Sequence, residues 1–102
     1  MRYHYFVIAD EDTVLGFRAA GLPGRAVATA ADAARAIEYA RERDVGILIL
    51  TEEVADMARQ EVAAMRFSKE PPMVVEVPGA EGPLPGRRSL STVIREAVGI
   101  RV

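Results

Sequence analysis

Four short apolar runs, separated by segments with helical spacing, constrain this chain more than any other feature. Tyr5-Phe6-Val7-Ile8-Ala9, Ile47-Leu48-Ile49-Leu50 and Met73-Val74-Val75-Glu76-Val77 are brief, continuous and rich in aromatic and β-branched residues. Arg25-Ala26-Val27-Ala28 is a weaker fourth, introduced by the turn sequence Gly21-Leu22-Pro23-Gly24. Runs that do not alternate with polar residues belong to strands covered on both faces, as in a parallel sheet. Strand and helix in strict alternation predict an α/β fold. Right-handed connections make it a small doubly wound parallel sheet of four strands in the order 2-1-3-4, receiver- or Rossmann-like.

The intervening segments carry their own start and stop signals. A first helix is expected from about Asp12 to Ala20, capped by an acidic residue and stopped by Gly21. Thr29 is placed to cap a second helix, with Asp32 at the capping-box position. Its inner stripe reads Ala33, Ala34, Ile37, Ala40 and the aliphatic stem of Arg41. A third helix starts after Thr51, with Glu52 and Glu53 set favourably against the helix dipole. Val54, Ala58, Val62 and Met65 form its buried stripe, and Pro71-Pro72 prevents its continuation. Met57, Met65 and Met73 read as core filler. Gly16, inside the first helix, is expected to serve a tight contact with a neighbouring element, within the chain or from a partner.

After the last strand the organisation changes. Pro78 to Gly86 holds three prolines and three glycines in nine residues, a loop or semi-rigid linker longer than the usual connection. Beyond it, Leu90, Val93, Ile94, Ala97 and Val98 fall at i, i+3, i+4, i+7 and i+8, an amphipathic stripe stopped by Gly99. The expected division is a globular α/β part over 1–77, a linker over 78–88 and an interaction helix with its tail over 89–102. The final helix either covers the edge of the sheet or is carried away to meet another protein. The length of the tether favours the second.

Composition excludes several functions. The 102 residues suffice for one domain with a modest core. A net charge of -2 leaves no basic footprint for nucleic acid, and Arg87-Arg88 is the place where basic residues adjoin. The chain has no cysteine and a single histidine, His4, which removes thiol chemistry and makes a zinc site implausible. No apolar run reaches the roughly 18 residues of a membrane span, and the early acidic cluster leaves no room for a signal peptide. No direct membrane insertion is therefore expected.

The one constellation with chemical promise is Asp10-Glu11-Asp12, at the carboxyl end of the first strand, where α/β sheets usually bind ligands. It is similar to the acidic pocket of response-regulator receiver domains, in which carboxylates hold magnesium and an aspartate after the third strand accepts a phosphoryl group. Here Thr51 stands after the third strand, and the fourth ends at Val77-Pro78 without the lysine that chemistry uses. A helix cap with solvated carboxylates is the better reading; a receiver-like switch or small-ligand domain using Asp10 and Asp12 is the alternative. The glycine turns contain no P-loop ending, and Gly21 to Gly24 follows a helix instead of preceding one. Ser89, Ser91 and Thr92 lack a neighbouring base and read as caps of the last helix. No catalytic, cofactor-binding or metal-binding residue is assigned.

Four ordered motifs carry a family resemblance. Asp10-Glu11-Asp12-Thr13-Val14-Leu15-Gly16-Phe17-Arg18-Ala19-Ala20-Gly21 resembles the N-terminal signature of the F subunit of V/A-type rotary ATPases. Gly46 to Glu52 is similar to that family's third strand and helix start, and Pro71 to Gly79 to its fourth strand and exit. Arg95-Glu96-Ala97-Val98-Gly99-Ile100 completes the order. The resemblance implies a small, non-catalytic part of the central stalk, bound to the coiled-coil D subunit of the rotor. With the D subunit it would turn beneath the A and B headpiece, coupling ATP synthesis or hydrolysis to proton or sodium transport through the membrane ring. It would sit on the cytoplasmic side as a peripheral component. It further implies that Ser89 to Val98 is the interaction element, with Leu90, Val93, Ile94, Ala97 and Val98 facing the partner.

Overall fold

The computed structural model describes residues 4–79 and Gly82. The chain alternates as expected: β1 (Tyr5–Ala9), α1 (Glu11–Ala19), β2 (Gly24–Ala26), α2 (Ala30–Glu42), β3 (Ile47–Thr51), α3 (Glu52–Met57), α4 (Arg59–Phe67) and β4 (Met73–Val77). All strand pairs are parallel and the order is β2-β1-β3-β4. The register aligns Tyr5 with Ile47 and Ile47 with Met73, then Val7 with Ile49 and Ile49 with Val75. Each of these rows points to one face, because side chains along a strand alternate.

The two faces are filled differently. Phe6, Ile8, Leu48 and Leu50 turn toward α2, α3 and α4, where Ala33, Ala36, Ile37, Ala40, Val54, Val62 and Met65 complete the larger core. Val7 and Ala9 turn the other way and meet Val14 of α1, flanked by Phe17, Leu22 and Ile49. The asymmetry follows from right-handed connections. The step from β1 to β2 places α1 on one face, and the two steps in the opposite direction place every later helix on the other.

Local chemistry fixes the ends of the helices. Asp10 caps α1, starting it one residue before the expected position. At its far end Leu22 N–H donates to Phe17 O and Gly21 N–H to Arg18 O, both at 2.9 Å, with Gly21 at φ 90. This Schellman arrangement is what the Gly21 stop signal foretold. Thr29 caps α2 as expected, its hydroxyl accepting from Asp32 N–H at 3.1 Å. The helix ends with Asp44, at φ 55, in the left-handed position usually given to glycine or asparagine. Val45 N–H donates back to Ala40 O there, and the Val45 side chain is fully buried.

Several expectations need correction. Ala36, not Arg41, completes the inner stripe of α2: Ala33, Ala36, Ile37 and Ala40 are buried, Ala34 is half-buried and Arg41 is exposed. An i, i+3, i+4, i+7 face holds the first set and leaves Arg41 beyond its edge. The third helix is two helices. Ala58 leaves the helical region at φ -118 and ψ 43, although Val54, Ala58, Val62 and Met65 are all buried as expected. β2 ends at Ala26 because its partner β1 ends at Ala9 in register. Met57 and Met73 are not core filler, being 38% and 65% exposed; only Met65 is. Nothing described lies within 4 Å of a Cβ placed on Gly16, so no close contact inside the described residues accounts for it.

Candidate functional site

The acidic end of β1 is a well-made helix cap. Asp10 accepts from Thr13 N–H at 3.1 Å with one carboxylate oxygen and from the Thr13 hydroxyl at 2.6 Å with the other. The Thr13 hydroxyl bond, the largest cause, holds the Asp10 carboxyl below its ordinary range despite partial burial. Glu11 and Asp12 follow in the first turn, set against the positive end of the helix dipole, and both are exposed. Thr51, the residue standing where a phosphoacceptor would be, is 2% exposed. Its hydroxyl accepts from Val54 N–H at 3.3 Å and starts α3. Among the described residues no group of three or more histidines or carboxylates is arranged to hold a metal ion. His4 is exposed, and its carbonyl accepts from Ile47 N–H.

Two surface clefts do not suggest chemistry either. A cavity of about 430 Å³ opens beside Met65, Arg66, Lys69, Pro72 and Met73. It lies at the amino end of β4, opposite the strand ends where α/β sheets bind ligands. A smaller one, about 280 Å³, is lined by Asp56, Arg59, Arg66 and Glu76, whose charges are paired as Arg59 with Asp56 and Arg66 with Glu76.

What stands out is an apolar surface that sequence reading missed. On the α1 side of the sheet, α1 packs chiefly over β1 and β2. Among the described residues no helix covers the adjoining apolar floor over β3 and β4: Ile47 and Ile49 are half-buried, Val75 is 36% and Met73 65% exposed, and Tyr5 at its lower corner is 47% exposed. Continuous apolar runs imply cover on both faces, and for β3 and β4 the described residues supply it on one. The signal lies in the order of elements. One connection out of three runs in the direction that puts a helix on this face, so the described helices leave half of it uncovered.

The residues assigned to partner binding, Leu90, Val93, Ile94, Ala97 and Val98, lie outside the described residues, as do Arg87-Arg88, Ser89, Ser91 and Thr92. The described chain reaches that segment through a turn in which Gly82 N–H donates to Gly79 O at 3.0 Å. Among the described residues no helix is long and apolar enough to cross a membrane.

Comparison with known proteins gives one consistent result. The family model described as ATP synthase (F/14-kDa) subunit matches residues 6–95. The chain is 32% identical to the F subunit of an A-type ATP synthase from Thermococcus sibiricus, over 94% of each sequence. It is 33% identical to the corresponding F subunit from Methanococcus maripaludis strain C5, over 94% of this chain and 95% of that protein. A crystal structure of the V-type ATP synthase F subunit from Archaeoglobus fulgidus superimposes with a TM-score of 0.60 at 26% identity. The likeness covers 76% of this chain and 99% of the solved one.

Proposed function

The chain belongs to the F-subunit family of A/V-type ATP synthases, and from that premise we propose that it works as a non-catalytic part of the central stalk. In this reading it binds the D subunit of the stalk, turns with it beneath the A and B headpiece, and helps couple ATP synthesis or hydrolysis to proton or sodium transport. Its place is the cytoplasmic face of the membrane, held there by the stalk and the membrane ring. The observation that carries the reading is the match of the family over nearly the whole chain, residues 6–95. The state of the strand-end residues supports the non-catalytic part: Asp10 is occupied by Thr13 and Thr51 by Val54 N–H.

The division of labour follows the expected boundaries. Residues 1–77 form the α/β body, 78–88 a linker, and 89–102 the element that meets the partner. Leu90, Val93, Ile94, Ala97 and Val98 supply the stripe that a coiled coil accepts, in the manner of an amphipathic helix laid in a groove. The test is co-purification with the D subunit of the full chain carrying Val93→Asp and Ile94→Asp. The variant is expected to lose the D subunit while its circular dichroism and unfolding midpoint stay those of the parent. Normal binding of the D subunit by the double variant refutes the assignment of the stripe.

A further inference from the structure

Between Phe67 and Met73, at the amino end of β4, the chain sets a knob, a hole and two opposite charges side by side. We propose that this surface pairs two copies of the free chain about a two-fold axis. The Phe67 ring of each copy enters the other's cavity, and Lys69 of each meets Glu70 of the other. Such pairing lies outside the stalk reading and rests on the described residues alone.

The knob is Phe67. It closes α4 and is 90% exposed, the most exposed large apolar side chain among the described residues. A lone exposed apolar residue needs no explanation, but Phe67 stands between Arg66 and Ser68, both of which line the cavity of about 430 Å³. Met65, Pro71, Pro72, Met73 and Val74 supply the apolar part of its wall. Met65 and Pro72 are buried while Pro71 and Met73 are exposed, the gradient of a pocket from floor to rim. Knob and rim make one apolar patch, and an aromatic side chain seated in a pocket is the usual anchor of a protein interface. The loop between them is already shaped. Ser68 N–H donates to Ala64 O and Met65 O at 3.2 Å, and the Ser68 hydroxyl accepts from Glu70 N–H at 3.1 Å. Less ordering is then left to oppose association.

Charge identifies the occupant. Lys69 and Glu70 are exposed neighbours, and among the described residues neither has an ion-pair partner. A partner surface of one sign would be repelled by one of the two. A two-fold axis beside the loop removes the conflict, because in an isologous interface residue i meets j while j meets i. Both charges are satisfied at once, and the same operation seats each knob in the other copy's hole. The patch is small. Two Phe67 rings bury about 300–500 Å², and one loop with one helix end sets the whole below the roughly 1,200 Å² at which stable interfaces begin. A weak dimer follows, formed at high concentration and dissociated at a few micromolar.

Sedimentation velocity of the full chain alone, from about 10 µM to about 1 mM, should show the average mass rising from one copy toward two. Phe67→Ser, at a position too exposed to disturb folding, should weaken self-association about tenfold or more. Lys69→Glu and Glu70→Lys should each weaken it, whereas the two variants mixed should associate more tightly than either alone. Both substitutions in one chain should recover most of the parent's affinity. In a mixture of isotope-labelled and unlabelled copies, nuclear Overhauser contacts should link the Phe67 ring of one copy to the Met65 or Met73 methyl of the other. The chain carrying Val93→Asp and Ile94→Asp should self-associate as the parent does. Four results overturn the proposal: a monomer throughout the range; a dimer indifferent to Phe67→Ser; mixed charge variants that associate no better than each alone; or a dimer lost with the Val93 and Ile94 substitutions, which puts the contact on the C-terminal stripe. The D subunit is absent from every arm, so failure here leaves the co-purification test untouched.

Discussion

Replacing Asp10 by asparagine and, separately, by alanine distinguishes a helix cap from an ion-binding carboxylate. Asparagine caps as well as aspartate and keeps an acceptor for Thr13 N–H, so Asp10→Asn is expected to cost at most about 0.5 kcal/mol through the lost charge at the helix dipole. Alanine removes both bonds made by Thr13, and Asp10→Ala should cost about 1–2 kcal/mol. At roughly 4–8 °C per kcal/mol for a domain of this size, the alanine variant should melt at least about 4 °C below the parent and the asparagine variant close to it. Urea unfolding followed by circular dichroism gives the free energies directly. Acid adds a signed check. The Asp10 carboxyl is held below its ordinary value mainly by the Thr13 hydroxyl, so its contribution is complete above the unfolded carboxyl value. It fades as pH falls through the lower folded value. The difference between parent and Asp10→Asn should therefore be constant at neutral pH and shrink below about pH 4. If millimolar magnesium stabilises the parent and both substitutions abolish that gain equally, the carboxylate holds an ion and the cap reading is wrong.

The rest of the fold makes equally direct predictions. Leu48→Ala should cost about 2–5 kcal/mol in urea unfolding, because Leu48 is fully buried between β3 and the α2–α4 layer. Phe67→Ala should stay within about 0.5 kcal/mol of the parent, since Phe67 is 90% exposed. Gly24→Ala places a Cβ 2.6 Å from Val7 O and should destabilise by about 1–3 kcal/mol, whereas Gly16→Ala meets nothing described within 4 Å and should stabilise α1 by up to about 1 kcal/mol; thermal melts of the two variants should move in opposite directions.

Periodicity makes most of this architecture legible before any coordinates. β1 and β4 fall on Tyr5–Ala9 and Met73–Val77, the bounds of their apolar runs. The reason is physical: a strand of a parallel sheet is rich in apolar residues, so its ends are written as changes of polarity, even at the edge strand β4, where Glu76 is admitted as the ion-pair partner of Arg66. Caps are legible for a similar reason. Thr29 and Thr51 each bring a hydroxyl to a free helix N–H, and few other residue types do this.

What is not legible depends on tertiary context. Ala58 interrupts α3 and α4 although alanine is the best helix former, and no glycine or proline marks the break. Asp44 takes a left-handed backbone that its type does not announce; the burial of Val45 one residue later accounts for the turn. Met73 reads as core from its composition, yet it stands on the edge strand, beyond the strands that α1 chiefly covers, and is 65% exposed. The candidate site shows the same contrast. Asp10 is the exception, since its helix-cap role reads from the sequence and the bonds from Thr13 agree with it. The apolar floor of Ile49, Met73 and Val75 stays hidden because a run of apolar residues states that a strand is apolar, not what covers it.

The stalk reading is tested most directly by co-expressing the full chain with the D subunit of the same enzyme and following both through size-exclusion chromatography with light scattering. A single peak with the mass of one copy of each is expected. The peak should be insensitive to magnesium and lost with Val93→Asp and Ile94→Asp. Separate elution of the unmodified chain and a folded D subunit, at concentrations well above micromolar, contradicts the account.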